Sequence, residues 1–189
     1  MLVGIEYDFY SGSEKILELL SQSKKPILLV VAGGSCSGKS YLAVDLEKRI
    51  RKNGESVSTV PLDSYFRDVD DPDLPKNASG RRLFDVPASY HQNEFTRDIS
   101  RLIKGKNIYL PNYDMPSNRR LTGRGKFIRA NPIIIAEGLF TITILAASTH
   151  FNLNMIKVFV DADEEVRLKR RIDRDTLRYG IPEDKVREI

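Results

Sequence analysis

The segment Gly33-Gly34-Ser35-Cys36-Ser37-Gly38-Lys39-Ser40 fits the pattern G-x-x-x-x-G-K-[S/T]. Residues of these types at this spacing are suited to holding phosphate. Glycines allow the tight turn that aims successive backbone N–H groups at an anion, and a helix starting there adds the positive end of its dipole. Lys39 stands at the offset that reaches the outer phosphates, and the Ser40 hydroxyl can join a Mg²⁺ shell. Gly33 to Ser40, with Tyr41 opening the helix behind them, form the candidate binding loop for a nucleoside triphosphate, ATP or GTP.

Phosphoryl transfer also needs a group to take the acceptor's proton, and cations on the developing negative charge. Asp63 follows the apolar run Val57 to Leu62 and can accept a proton from an incoming hydroxyl. It can equally be a turn aspartate. Glu137 ends the run Ile133-Ile134-Ile135-Ala136, where a second acidic residue near Mg²⁺ would stand; it can also be a strand-end carboxylate paired with a base. Arg167, Lys169, Arg170, Arg171, Arg174 and Arg178 recur at three- and four-residue steps. They read either as a solvated helix face or as a lid closing on phosphates, a task that suits arginine's planar fork.

The elements that must position these residues are legible. Residues 27–32 form a fully apolar run before the glycine loop, and Leu42, Leu46 and Ile50 follow it at helical spacing up to Asn53-Gly54. Strands are expected at 57–62, 133–136 and 156–160, and helices at 90–104 and 164–178. Apolar strands alternating with helices imply a parallel sheet covered on both faces, with ligands at the carboxyl ends of the strands. Those ends would bring Gly33, Asp63, Glu137 and Asp161 to one edge. The stretch 64–89 is irregular, carries the acidic run Asp68, Asp70, Asp71 and Asp73, and is long enough to be functional or disordered. In the first 25 residues, Ser13 is expected to cap a short amphipathic stretch, with a polar connector at 21–25.

Composition narrows the classes. With 189 residues and 41% hydrophobic content, one domain with a sizeable core is expected. Thirty basic residues against 26 acidic ones give a net charge of +4, which suits a polyanionic small ligand and makes a poor case for nucleic acid. RNA binding through 119–129 and 167–178 ranks last, since no aromatic-rich RNA signature accompanies those segments. The lone Cys36 excludes an internal disulfide and implies a reducing compartment. With no apolar run near the roughly twenty residues that span a bilayer and no leader pattern, a cytoplasmic protein without a membrane partner is expected.

From Pro26 to Val186 the chain resembles the uridine kinase branch of the P-loop kinases, a group bordering phosphoribulokinase. The resemblance lies in the phosphate loop, Leu62-Asp63-Ser64-Tyr65-Phe66, Leu83-Phe84-Asp85-Val86-Pro87 and Pro111-Asn112-Tyr113-Asp114. It continues through Ile135-Ala136-Glu137-Gly138 and Val158-Phe159-Val160-Asp161 to Arg170-Arg171-Ile172-Asp173-Arg174-Asp175. It implies a P-loop NTPase-type three-layer α/β fold and transfer of the terminal phosphoryl group of ATP or GTP to the 5′-hydroxyl of uridine or cytidine. It further implies that Asp63 is the catalytic base and that Lys39, Arg170 and Arg174 assist the transfer. Arg171 would join the cofactor side, and Ser40 and Glu137 would serve Mg²⁺. Phe66, Phe84, Asp85 and Tyr113 would bind the nucleoside, with Asp85 on the ribose hydroxyls.

The chain departs from that family after Tyr113-Asp114, where Met115 and Asn118 stand in place of a phenylalanine and a histidine, and at Tyr179-Gly180-Ile181, where Arg-Gly-Arg is usual. Asn118 would then face the base. Relatives continue past the position of Ile189 through a fifth strand, so the expected layout is an N-terminal extension at 1–25 and a kinase domain at 26–189 lacking that strand. A homo-oligomer is compatible with all of this. Two functions remain open at this point: a kinase with a nucleoside-like acceptor, and a nucleotide-binding regulatory module of the same fold.

Overall fold

A computed structural model describes residues 6–123, 125–147 and 154–187. Its elements in chain order are α1 (Phe9–Gln22), β1 (Ile27–Gly33), α2 (Lys39–Lys52), β2 (Val57–Pro61), α3 (Gln92–Ile103), β3 (Ile108–Tyr109), β4 (Tyr113–Asp114), β5 (Arg119–Arg120), β6 (Phe127–Ile128), β7 (Ile133–Glu137), α4 (Thr141–Ala146), β8 (Met155–Val160), α5 (Glu164–Tyr179) and α6 (Glu183–Arg187). Short 3₁₀ turns occupy Leu62–Tyr65 and Pro87–Ser89. No helix among the described residues is long and apolar enough to cross a membrane.

The apolar runs become the central strands because both of their faces are covered. The sheet is parallel with order β2-β7-β1-β8, and β1 is buried along its whole length. Side chains alternate across it: Leu28, Val30, Ile134 and Ala136 join α3 and α4 on one side, while Ile27, Leu29, Ile133 and Ile135 join α1 and α2 on the other. Three layers with two cores result.

Register positions the chemistry. Val31 and Pro61 both pair with Glu137, and Gly33 pairs with Val160. The strand ends are therefore level, and the loops that leave them face one another. The second strand, expected to reach Leu62, ends at Pro61, and Asp63 is carried by the 3₁₀ turn just beyond.

Three expectations change. Ser13 is not a cap: Asp8 accepts from the N–H groups of Tyr10 and Ser11, so α1 begins earlier, and the buried Ser13 hydroxyl donates to Phe9 O. The segment read as an extension contributes Ile16 and Leu20 to the core under β1, and the helix takes only Ser21 and Gln22 of the stretch expected as a connector. Of the two readings of the irregular stretch 64–89, functional or disordered, disorder is removed. Its ends are joined by Arg67 N–H to Ser89 O and His91 N–H to Tyr65 O, and Leu74 is buried. The acidic run meets arginines: Asp71 pairs with Arg67, and Asp68 and Asp70 pair with Arg119. Arg120 pairs with Glu94, so part of the basic segment considered for RNA is committed within the fold.

Candidate active site

The phosphate loop folds as its glycines require. Gly38 is the N-cap of α2 at φ 106, a left-handed conformation that side chains disfavour, and no side chain caps the helix. The first N–H groups of α2 are thus free for an anion. Ser37 Oγ is buried with no hydrogen-bond partner among the described residues, an orphan polar atom inside the cradle. Lys39 folds back over the loop, its Nζ donating to Gly34 O at 3.3 Å.

Ser40 Oγ donates to Glu137 Oε2 at 3.1 Å. Glu137 is 9% exposed, and burial together with the charge of Asp63 pushes its carboxyl up to about 6, against the pull of Lys39 and the Ser40 hydroxyl. Gly138 makes this closeness to the Asp63 turn workable: a Cβ there would lie 2.4 Å from Leu62 Cβ. The donor set of a hydroxyl and a carboxylate, both hard oxygens, fits Mg²⁺, which is usually held by one or two carboxylates plus substrate phosphates.

Asp63 is open to solvent on one side of the cleft. Protein still packs closely around its carboxyl, and this desolvation, with Asp85 nearby, raises it above the ordinary 3.8, while Lys39 and Arg174 pull it down. Because water reaches the group, the upward push is smaller than a sealed site would give.

The arginines of α5 line the opposite wall. Arg170 Nη1 donates to Cys36 O at 3.4 Å. Arg171 Nη2 donates to Asp85 Oδ2 at 3.0 Å. Arg174 is close enough to act on Asp63 and on Cys36 electrostatically. Arg167 lies over the loop, where a Cβ on Gly34 would come within 2.5 Å of its Nη1.

Beyond Asp63 the chain builds an aromatic cluster. Phe66 stacks on Tyr90 with centroids 4.2 Å apart, and Phe84 and Tyr113 stand 6.0 and 5.5 Å from Phe66. The Tyr113 hydroxyl donates to Arg67 O. Tyr90, packed also against Phe140, is buried, and its phenol is pushed up by that burial and by Asp63, Asp85 and Glu137.

The structure thus gathers Gly33 to Ser40, Asp63, Phe66, Phe84, Asp85, Tyr113, Glu137, Arg170, Arg171 and Arg174 around one cleft. Two expected residues stand apart. The Tyr41 side chain is 70% exposed and leans on Phe9 of α1, away from the loop it follows. Asn118 occupies a left-handed turn position at φ 51, and its carbonyl accepts from Val69 N–H. Asparagine tolerates that conformation, which gives Asn118 a backbone reason to be there. Sequence reasoning passed over Tyr90, Phe140, Arg167 as a loop neighbour, and Asp175. Arg167 had a signal as one member of the arginine run, and Asp175 as the last residue of the segment Arg170 to Asp175.

A parallel sheet whose strand ends face a phosphate loop and an opposing arginine helix is the architecture of the P-loop kinases. The structure of a possible uridine kinase from Bacillus stearothermophilus aligns with a TM-score of 0.63 at 18% identity, covering 96% of this chain and 93% of that one, a likeness of fold. Residues 28–188 match the model of the phosphoribulokinase / uridine kinase family, and this chain belongs to that family. Curated relatives include a uridine kinase from Brevibacillus brevis, 34% identical over 163 residues (85% of this chain, 72% of the relative), and one from Leuconostoc citreum, 30% identical over 151 residues (80% and 69%). Membership favours a phosphotransferase over the regulatory module.

Proposed function

We propose that this chain transfers the terminal phosphoryl group of ATP to the 5′-hydroxyl of a uridine- or cytidine-like nucleoside. The observation that carries the reading is the proximity of Asp63 both to the phosphate-loop lysine and to Asp85, which joins the donor and acceptor sides at one carboxylate. The curated relatives named as uridine kinases support the choice of acceptor.

In this reading the N–H groups of the loop, Lys39 and the arginines of α5 bind the triphosphate and neutralise its oxygens. Ser40 and Glu137 would hold the Mg²⁺ that accompanies ATP, which would add further charge neutralisation at the phosphates. Asp85 takes the ribose hydroxyls, and Phe84, Phe66 and Tyr113 wall the nucleoside. Asp63 accepts the proton of the attacking hydroxyl. A carboxyl held above its ordinary range is a better base than a free aspartate, so the rate falls at acid pH as Asp63 takes up a proton, and falls further below about 6, where Glu137 does.

The test is ADP release from Mg-ATP against a panel of pyrimidine nucleosides, purine nucleosides and sugars. Uridine or cytidine should raise it most. Asp63→Asn should lose on the order of 10²–10⁴ in turnover while keeping nucleotide affinity. Full activity in Asp63→Asn removes it as the base.

A further inference from the structure

Asp175 is the one buried residue among those described in α5, at 4% exposure. A buried carboxylate is costly unless paired, and a helix as polar as α5 offers no packing reason for one. The two ends of Asp175 do separate work. Its backbone carbonyl accepts the N–H of Ile181 at 3.2 Å, closing the helix terminus beside the left-handed Gly180. Its side chain takes no part in that cap: Oδ1 accepts from Arg174 Nε at 2.6 Å, and Oδ2 lies 3.6 Å from Arg171 Nε.

Those two arginines reach opposite halves of the cleft. Arg174 is felt electrostatically by Asp63 and stands near Cys36 of the phosphate loop. Arg171 binds Asp85, the carboxylate assigned to the acceptor. Arg171 Nε is buried without a hydrogen bond of its own, because 3.6 Å holds its charge but is too long for a bond. The guanidinium is thus held between two carboxylates, bonded to Asp85 through Nη2 and drawn to Asp175 by charge.

We propose that Asp175 is a positioning residue for the reaction: its carboxylate fixes Arg174 on the donor side and Arg171 on the acceptor side, setting both from one buried point on α5. The inference rests on the kinase reading above. A side chain that holds two cations in place acts on turnover, since a misplacement of about 1 Å at the reacting groups can cost roughly 10²-fold.

Asp175→Asn keeps the shape and removes the charge. With Mg-ATP and the preferred nucleoside, its kcat should fall roughly 10- to 100-fold. In an Arg174→Met background the same change should cost less, because one of the two groups it acts through is gone. Equal losses of kcat in both backgrounds, or a wild-type kcat in Asp175→Asn, would overturn the proposal. If Asp175→Asn melts below the assay temperature, Asp175→Glu reads the same question with the charge kept and moved by one methylene: reduced kcat at unchanged melting temperature supports it, and wild-type kcat overturns it. A wild-type chain that turns over no nucleoside would instead refute the kinase reading. The Asp175 question then passes to affinity for a non-hydrolysable ATP analogue, which should drop in Asp175→Asn; unchanged affinity would overturn it.

Discussion

Glu137→Gln separates a carboxylate kept for a cation from one that merely pairs at a strand end. The change keeps the shape and leaves an acceptor for Ser40 Oγ, which lies 3.1 Å away. In the wild type the carboxyl, ordinarily at 4.5, is pushed up to about 6 by burial and by Asp63. Converting that displacement at ~1.4 kcal/mol per tenfold, the folded chain carries Glu137 ionised at neutral pH at a cost of ~2 kcal/mol. A buried amide gives back up to ~1 kcal/mol through its less well satisfied N–H groups. The variant should therefore be more stable by ~1–2 kcal/mol, a rise in melting temperature of about 2–8 °C for a chain of this size.

The pH dependence has a definite sign. Below 4.5 the carboxyl is protonated in folded and unfolded chains alike, and the variant has no advantage; the advantage grows up to about 6 and is complete above it. The assay is thermal unfolding of both proteins at about pH 7.5 and about pH 4.5, with and without Mg-ATP. With Mg-ATP the wild type should gain more stability than the variant. A variant that melts below the wild type at the higher pH, or a difference that does not shrink at the lower one, would refute the reasoning.

Two further substitutions probe the placement of the loops. Gly138→Ala puts a Cβ 2.4 Å from Leu62 Cβ, so it should destabilise by ~1–3 kcal/mol and lower kcat by moving the Asp63 turn; thermal unfolding and steady-state kinetics check both. Tyr41→Ala should leave ATP affinity within about twofold and cost less than ~1 kcal/mol, since the ring is 70% exposed against Phe9; a tenfold loss in an ATP titration would return Tyr41 to the binding loop.

The donor half of the site was legible because its parts are contiguous or stand at strand ends. The phosphate loop is one segment, and the apolar runs around it have no fate but buried strands. Once those strands are parallel, Glu137 must end level with Val31 and Pro61. The acceptor half was legible only through motif resemblance. Phe66, Phe84, Tyr90, Tyr113 and Phe140 come from separate stretches, and their convergence depends on the closure of 64–89 by bonds such as His91 N–H to Tyr65 O. Local pattern carries no trace of that closure. The pairing of the acidic run was hidden for a related reason: Asp68 is answered by Arg119, far along the chain.

Asp175 was named in the sequence as the end of a motif, but its burial was illegible for a different reason. In a helix dense with charge, a carboxylate one residue after Arg174 and four after Arg171 reads as a solvated pair, and only the folded placement of α5, with α6 packed on it, makes it buried. That packing also gives the charge pattern its meaning. The strand-end wall carries Asp63, Glu137 and, at its margin, Asp85; the α5 wall carries Arg167, Arg170, Arg171 and Arg174. Left to themselves the carboxylates raise one another, as Asp63 does Glu137. Direct pairing of the two walls would relieve the repulsion, yet it occurs at Asp85 with Arg171 alone among the ion pairs described between them. Of the remaining arginines, Arg170 reaches the phosphate loop through a backbone oxygen and Arg167 stands over it, leaving their charge for an anion between the walls, while Arg174 is held by Asp175. A triphosphate fits the arginine side of that gap and a divalent cation the carboxylate side, so the electrostatic cost carried by the strand ends is the complement of the ligand the loop is shaped to hold.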